Sequence, residues 1–311
     1  MSYSEALEQQ IRLHRWAVRQ GSVRGGFVEQ IYGSFAWFHA AHEVLAAAEP
    51  YYVNKEIGHL LALSSSNVPD MLPSPSLLPG LRPGFVWLEK PVNLPELATD
   101  GEPVPRYLHA FTWARTLRGK TGNDPARWED VGWRELHAGE GELFLVPWVT
   151  TKQLDQIVPW SFFEWRWEET QSAAVEREAA EASSDSRQLD TTYARQIFDL
   201  CAAFLLFIQQ RILTASQQSL DRHARHRVEK EDWQHEPLVR VVELRRREPV
   251  ATEHGERDVD WSCQWIVRGH WRQQFYPSKH LNQPIWITPY VKGPEDKPLK
   301  PPRATVFAVV R

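Results

Sequence analysis

The chain has 311 residues, a length that allows one large or two modest domains, each able to bury its own core. Its formal net charge of -4 hides an asymmetry, because residues 222–311 carry 17 Lys plus Arg against 12 Asp plus Glu, whereas residues 1–221 carry 19 against 28. The two cysteines, Cys201 and Cys263, exclude a disulfide-rich secreted domain. The charge distribution favours the C-terminal part for contact with nucleic acid and disfavours the N-terminal part.

Two further features bear on the compartment. The longest apolar run, residues 200–208, is nine residues long, well short of the roughly 20 that cross a bilayer. Residues 2–19 are charged and lack the apolar core of a secretion signal. We therefore expect a soluble, cytoplasmic protein without a membrane partner.

The N-terminal half is predicted to begin with helices and to continue with strands. Apolar residues at helical spacing favour the helices, and clusters of Pro, Gly and Asp separate the shorter runs that are typical of strands. The predicted helices are residues 4–20, 35–48 and 54–63, and the predicted strands are residues 84–89, 107–115 and 142–151. A connection rich in Ser and Pro, residues 64–83, separates the two groups.

The second half begins with residues 169–190, whose acidic Ala/Glu/Ser composition is typical of a linker. A long apolar helix is predicted over residues 191–219, and we expect it to be buried between layers. Strands are predicted at residues 238–247, 262–274, 285–291 and 304–310. The sequence therefore predicts an α+β fold with domains 1–168 and 191–311. In this fold a helical lead-in and a mostly antiparallel sheet are joined by the long buried helix to a small basic C-terminal β domain.

Several enzyme classes lose support because their motifs are missing. The sequence has no GxxxxGK[ST] phosphate loop, no GxGxxG dinucleotide fingerprint, no HExxH zinc motif and no GxSxG nucleophile elbow. His39 and His42 have a spacing that lets two imidazoles share a helix face, but no third metal ligand stands at an expected position. We expect no cofactor and no metal site.

Residues 264–272 form the pattern that points most directly to a binding surface. With a two-residue period, Arg268, His270 and Arg272 share one face of a strand, and mainly apolar side chains share the other. A row of guanidinium and imidazole groups favours an anionic partner such as a phosphate backbone. The predicted nucleic-acid contacts are Arg268, His270, Arg272, Tyr276, Lys279, His280 and Lys292.

The same face is compatible with two other interpretations. The first is a solvated or ion-paired surface, with Glu243 or Asp260 as partners. The second is catalysis, in which His270 acts as the general base of a metal-independent ribonuclease and Arg272 or Lys279 stabilises the phosphate. A single histidine without a placed second acid or base is a weak signal, so an enzyme is the less favoured alternative.

A dense aromatic block covers residues 160–167 and contains Trp160, Trp165 and Trp167. Such a block is typical of packing at the junction of two parts of a fold. It is also compatible with an apolar groove that captures a polypeptide, and the three tryptophans are then the candidate partner-binding residues.

The C-terminal cassette Arg268-Gly269-His270-Trp271-Arg272, followed by Trp286-Ile287 and Pro289, resembles a family of proteins from phages, plasmids and other mobile elements. Residues 83–89 with Pro91 resemble a strand of the same family more loosely. One branch of that family contains an anti-CRISPR protein that blocks production of a type V CRISPR effector nuclease. That branch recognises the nascent N-terminal segment of the effector and triggers loss of its messenger RNA. The resemblance implies a protein that acts on RNA or on translation.

These observations combine into one main hypothesis. The chain is expected to be an interference or regulatory protein, similar to the anti-CRISPR branch, that binds RNA through its C-terminal sheet and a polypeptide, such as a nascent chain, through its N-terminal half. Two alternatives stay open: a metal-independent endoribonuclease that uses His270, and a protein–protein interaction module without nucleic acid. Trp265, Trp271 and Trp286 are expected to pack in the core.

Overall fold

The computed structural model describes residues 3–21, 44–73, 77–79, 82–97, 104–116, 142–151, 154–159, 163–184, 191–210, 213–230, 233, 238–244, 264–267, 269–287, 290–294 and 297–298. The chain divides into two compact units, Met1–Arg245 and Arg246–Arg311. Both helices and strands build the structure, which confirms the predicted α+β class. The predicted strand at residues 304–310 and the histidines His39 and His42 lie outside the described residues.

The first unit contains helices and strands that are interspersed along the chain. They are α1 Ser4–Gly21, β1 Glu49–Val53, α2 Lys55–Ser65, β2 Gly84–Leu97, β3 Val104–Thr116, β4 Glu142–Thr151, β5 Leu154–Pro159, β6 Phe163–Arg166, α3 Gln171–Ser184, α4 Thr191–Gln209, β7 Leu213–Ser219, α5 Arg222–Glu229 and β8 Leu238–Leu244. Of the predicted helix 35–48, residues 44–48 are described; residues 44–47 are helical and residue 48 is not.

The first unit is organised around one eight-stranded sheet. Its strand order is β5-β4-β3-β2-β1-β8-β7, and β6 also pairs with β4. Strand β1 runs parallel to both of its neighbours, β2 and β8, whereas the other pairs are antiparallel. A parallel pair needs a crossover connection, and α2 lies in the connection between β1 and β2. The sheet is therefore mixed, with antiparallel pairing in the majority, as predicted.

Helices cover both faces of this sheet. Consecutive residues of a strand point to opposite faces. Tyr52 of β1 accordingly belongs to the apolar cluster that includes α1 and α5, whereas the ring of Tyr51 contacts Phe204 of α4, with centroids 6.0 Å apart. Because the sheet is buried on two sides, residues 85–88 and 143–149 are unbroken buried runs where a half-exposed strand would alternate.

Side-chain caps fix the starts of two helices. Asn54 Oδ1 accepts a hydrogen bond from the backbone N–H of Ile57 at 2.9 Å, and Asp221 Oδ1 accepts one from the N–H of Ala224 at 2.8 Å. Each bond satisfies a donor that the first turn of a helix leaves without an intrahelical partner. Helix α2 therefore begins directly after Asn54, close to its predicted position.

Gly84 opens β2 at a point where the backbone and an indole ring approach closely. Its register partner in β3 is Trp113, and a Cβ atom on Gly84 would lie 2.0 Å from Cζ2 of that indole. The indole is 1% exposed, and its ring centroid lies 5.2 Å from that of Tyr51 and 5.6 Å from that of Phe204. The close approach therefore requires glycine at this position.

The long apolar helix is shorter than predicted. Helix α4 ends at Gln209 and not at residue 219, and the following residues form β7. Strand β7 pairs with β8 at the edge of the sheet, so tertiary pairing outweighs the helix propensity of its Gln, Ala and Leu residues. The expected burial of α4 is confirmed, since residues 200–207 are all buried. Its length and composition would allow a membrane span, but 67% of that window is buried, as is typical of a core helix.

Much of the predicted linker 169–190 is a helix. Helix α3 packs against β6 and α4. Arg177 holds it in place: its Nε and Nη2 donate to the Glu169 carboxylate at 3.1 and 2.8 Å, and Nη2 also donates to the Glu164 carbonyl at 2.7 Å. Ala and Glu are strong helix formers, and these bonds fix the helix on the sheet, so residues 171–184 are an ordered helix and not a linker. Residues 185–190 lie outside the described residues.

The division into units also differs from the predicted division at residues 168 and 191. Helix α4 belongs to the first unit because it packs on α2 and β2, and β8 belongs there because it pairs with β1. The boundary therefore follows Arg245. The second unit keeps a positive balance, with 11 Lys plus Arg against 7 Asp plus Glu in residues 246–311.

The described part of the second unit contains two antiparallel strand pairs, which we together call the ribbon. Its strands are β9 Trp265–Val267, β10 His270–Tyr276, β11 Leu281–Ile287 and β12 Tyr290–Lys292. Strand β10 pairs with β11, with His270 opposite Ile287, and β9 pairs with β12, with Val267 opposite Tyr290. The predicted strand 262–274 is therefore interrupted between β9 and β10.

Candidate nucleic-acid interface

Strand β10 carries the central part of the predicted cationic face. Alternate residues of a strand share a face, so His270, Arg272, Gln274 and Tyr276 lie on one side. His270 and Arg272 are exposed, and Tyr276 is partly exposed. With a rise of about 3.3 Å per residue, neighbouring side chains on this face start about 7 Å apart. The structure thus brings an imidazole, a guanidinium and an aromatic ring into one row.

The row has no carboxylate in its own strands. Neither β10 nor β11 contains Asp or Glu. The residues opposite the row are apolar or amide side chains: Ile287 faces His270, Ile285 faces Arg272 and Gln283 faces Gln274. A cationic row between apolar neighbours favours an anion from outside the ribbon over an ion pair within it.

A hydrogen bond along the strand orients the guanidinium. Arg272 Nη2 donates to Gln274 Oε1 at 2.7 Å, and Gln274 Nε2 donates to the Phe275 carbonyl at 3.0 Å. Arginine has five N–H donors, so this bond fixes the direction of the side chain and leaves donors for a bidentate contact with phosphate. Gln274, which the sequence did not single out, acts as the positioning residue of the row.

The opposite face of the ribbon is where the tryptophans pack. Trp271 and Trp286 are cross-strand partners with a T-shaped ring contact at 5.3 Å, and Trp286 is 5% exposed. Lys292 lies opposite Trp265, with Nζ 5.9 Å from the centre of its indole. The side chain of Lys292 is exposed.

The turn of the ribbon carries another predicted contact. The chain reverses through a 3-10 turn at Pro277–Lys279, and His280 closes it in the left-handed conformation, with φ 50°. Its backbone N–H donates to the Pro277 carbonyl at 3.3 Å, and its imidazole is exposed. The side chain of Lys279 and the whole of Arg268 lie outside the described residues.

Three exposed apolar side chains of the ribbon were missed by the sequence pattern. They are Phe275, Tyr290 and Val291, with 50%, 45% and 54% of their surface accessible. The expected alternation of exposed and buried side chains holds at Trp271 but fails at Phe275. The ring of Phe275 is exposed, although it lies on the face that was predicted to be buried. Its exposure, like that of Tyr290, adds an aromatic surface on which a base can stack.

In the described part of the aromatic block, Trp165 is a buried packing residue. Trp165 is 0% exposed, its ring contacts Phe198 of α4 at 5.8 Å, and its Nε1 donates to the Glu169 carbonyl at 3.1 Å. Its role is therefore packing between β6 and α4, which corrects its assignment as a partner-binding residue. Trp167 is partly exposed, and Trp160 lies outside the described residues.

The positions of the imidazoles bear on the catalytic alternative. His270 begins β10 and His280 follows its turn, so about 20 Å of strand separates them. Acid–base cleavage of RNA needs both proton-transfer groups within hydrogen-bond reach of the same phosphate. Within the described residues of the ribbon, these two histidines cannot act as such a pair.

No protein-family model matches the chain, and no curated protein matches it either.

Proposed function

We propose that the chain is a cytoplasmic RNA-binding regulatory protein whose C-terminal ribbon contacts the backbone of a single strand. The observation that carries this proposal is the exposed row of β10, in which His270 and Arg272 stand two residues apart and neither ribbon strand contains a carboxylate. In the proposed complex Arg272 donates to a phosphate, and His270 donates to a neighbouring one.

Aromatic side chains favour a single strand over a duplex. Tyr276 ends the row and is partly exposed, and Phe275 stands next to it on the other face. Unstacked bases bind to aromatic rings, whereas the bases of a duplex are already stacked on each other. The resemblance of residues 268–272 to mobile-element proteins that act on messenger RNA favours RNA over DNA. It also suggests an interference role with a nascent polypeptide as second partner, which stays a prediction for the first unit.

The test is binding of a fluorescein-labelled single-stranded RNA to the full chain, followed by anisotropy over a range of salt concentrations. The variant is His270→Ala/Arg272→Ala. We expect weaker binding, and a slope of log Kd against log[salt] that falls by about 1 for each phosphate that the variant no longer neutralises. The matched control is Lys90→Ala, which removes one exposed positive charge from β2 in the first unit.

The possible outcomes distinguish RNA binding by the ribbon from its absence. A lower salt slope for the double variant and an unchanged slope for Lys90→Ala support the ribbon as the RNA site. An unchanged slope for the double variant, with a circular dichroism spectrum like that of the parent, refutes the proposal. Absence of salt-dependent RNA binding by the parent protein refutes it as well and favours the interaction module without nucleic acid.

A further inference from the structure

The first unit has its own cationic surface, between α1 and α5. Helix α1 runs beside α5 and leaves a groove of about 450 Å3. We call it the arginine groove. Its lining residues are Glu8, Ile11, Arg12, Arg15, Trp16, Arg19, Arg227 and Val228. All of them belong to the first unit.

Among the described residues, four guanidinium groups and one carboxylate line the groove. Arg12, Arg15 and Arg19 follow each other on α1 at spacings of three and four residues, so they share one side of the helix. All three are exposed. Arg227 of α5 faces them across the groove. Like charges at these spacings repel each other, and a bound anion would relieve that repulsion.

The carboxylate of the groove, that of Glu8, already forms an ion pair with Arg227. Glu8 stands four residues before Arg12, the spacing at which Glu and Arg pair within a helix. Its Oε1 accepts instead from Nη2 of Arg227 at 2.6 Å, which ties α1 to α5 over 219 residues of sequence. In the described part of the chain, Arg12 and Arg19 have no ion pair with a carboxylate.

The rest of the lining is apolar and aromatic. Trp16 is partly buried and packs against the core of the first unit, and Ile11 and Val228 lie beside it. An aromatic ring next to several guanidiniums suits a ligand that has both a planar base and a phosphate. An acidic peptide offers the charges but has no ring for the indole. The volume also lies in the range of about 300–1,000 Å3 that is usual for small-ligand sites.

We propose that the arginine groove binds a nucleotide, with its phosphate held by Arg12 and Arg19 and its base against Trp16. The site is independent of the ribbon and does not rest on the proposed RNA contact there. The nucleotide is either free or one residue of a nucleic-acid strand, since both present the same base and phosphate.

The test is calorimetric titration of adenosine monophosphate into the full chain carrying His270→Ala/Arg272→Ala, so that the ribbon makes no contribution. Adding Arg12→Ala/Arg19→Ala should weaken binding by about tenfold or more, because the charge-assisted hydrogen bonds to phosphate can no longer form. The matched control is Arg222→Ala/Lys230→Ala. It removes the same charge from exposed positions of α5 and its C-cap that do not line the groove.

A third variant should not weaken the binding of adenosine monophosphate. Glu8→Gln removes the carboxylate and releases the Arg227 guanidinium, so adenosine monophosphate should bind at least as tightly as before. Equal weakening by the arginine pair and the control pair, or no weakening by either, overturns the proposal. Weaker binding by a correctly folded Glu8→Gln protein also overturns it.

Two further titrations identify the source of the ligand. A short oligonucleotide that binds much more tightly than adenosine monophosphate, and that loses affinity with Arg12→Ala/Arg19→Ala, points to a strand. Equal affinities point to a free nucleotide. An oligoglutamate peptide that displaces the nucleotide at equal concentration overturns the assignment in favour of an acidic polypeptide.

Discussion

Replacing Gly84 with alanine adds one methyl group at a place that an indole ring already fills. The new Cβ would lie 2.0, 2.1 and 2.5 Å from Cζ2, Cη2 and Cε2 of Trp113. Carbon atoms in contact stay about 3.5–4.0 Å apart, so the ring would have to retreat by roughly 1.5 Å. Tyr51 and Phe204 enclose the ring and block that movement.

The free energy of unfolding should therefore fall substantially. Overpacking a core costs about 1–3 kcal/mol and occasionally more, and three overlapping atoms place Gly84→Ala at the upper end, at about 3 kcal/mol. The control is Gly58→Ala in α2, where the nearest heavy atom to the new Cβ is the Lys90 carbonyl oxygen at 3.9 Å. Alanine is favoured over glycine inside a helix by about 0.5–1 kcal/mol, so this variant should be as stable as the parent or more stable.

The assay is urea unfolding followed by circular dichroism, with free energies from linear extrapolation. A double variant with Trp113→Leu separates the clash from other effects, because a smaller partner leaves room for the methyl group. The cost of Gly84→Ala should then drop by about 1 kcal/mol or more. A loss below about 1 kcal/mol for Gly84→Ala alone, or the same cost with and without the indole, would refute the packing argument.

Three other predictions concern charged and buried groups. Burial raises the pKa of Asp199 to about 6 despite its hydrogen bonds from Arg195. The stabilisation from its protonation is thus present below about pH 4 and lost as the pH rises through about 6. Asp199→Asn should remove up to about 3 kcal/mol of this pH dependence, measured by urea midpoints; a variant with the parent's pH profile contradicts the assignment. Arg177→Ala should cost about 3 kcal/mol, because it leaves the carboxylates of Glu169 and Glu178, whose side chains are only 11% and 15% exposed, without their guanidinium partner. Lys55→Ala removes a cation from a pair whose side chains are 66% and 60% exposed and should cost under about 1 kcal/mol, so equal losses would contradict this reasoning. Burial raises the pKa of the Cys201 thiol, so iodoacetamide should label it only after unfolding, as read by mass spectrometry.

The sequence was sufficient where a segment carries its own pattern. Strands β3 and β4 contain long apolar runs, and α1 has an apolar side at helical spacing, so their positions were predicted closely. For β2 the prediction, residues 84–89, has the correct start but ends eight residues before Leu97. Strand β7 was missed because an edge strand with a polar sequence has no alternation and owes its form to β8. The helix α3 was missed because its composition is shared by flexible linkers.

Of the two candidate sites, one was predicted from the sequence pattern and the other depends on the fold. A two-residue period placed His270 and Arg272 on one face of a strand without knowledge of the fold, and both residues belong to β10 at that spacing. The arginine groove could not be predicted from the sequence, because Arg227 contacts Glu8 only after the sheet has formed. The net negative charge of residues 1–221 gave no indication of the arginines that line this groove. Net charge is summed over the whole surface, including parts that a ligand does not contact.

Strand β1 cannot pair with β8 until the ribosome has synthesised β8. Arg240 Nε and Nη2 donate to the Glu49 carboxylate at 2.8 and 3.1 Å across these strands, although the two residues are 191 positions apart. At about 5–20 residues per second, roughly 10–40 s pass on the ribosome between the two. During that interval one edge of β1 has unpaired N–H and C=O groups, which can recruit a strand from another nascent chain. Chaperone occupancy of the growing polypeptide should therefore persist until β8 has emerged.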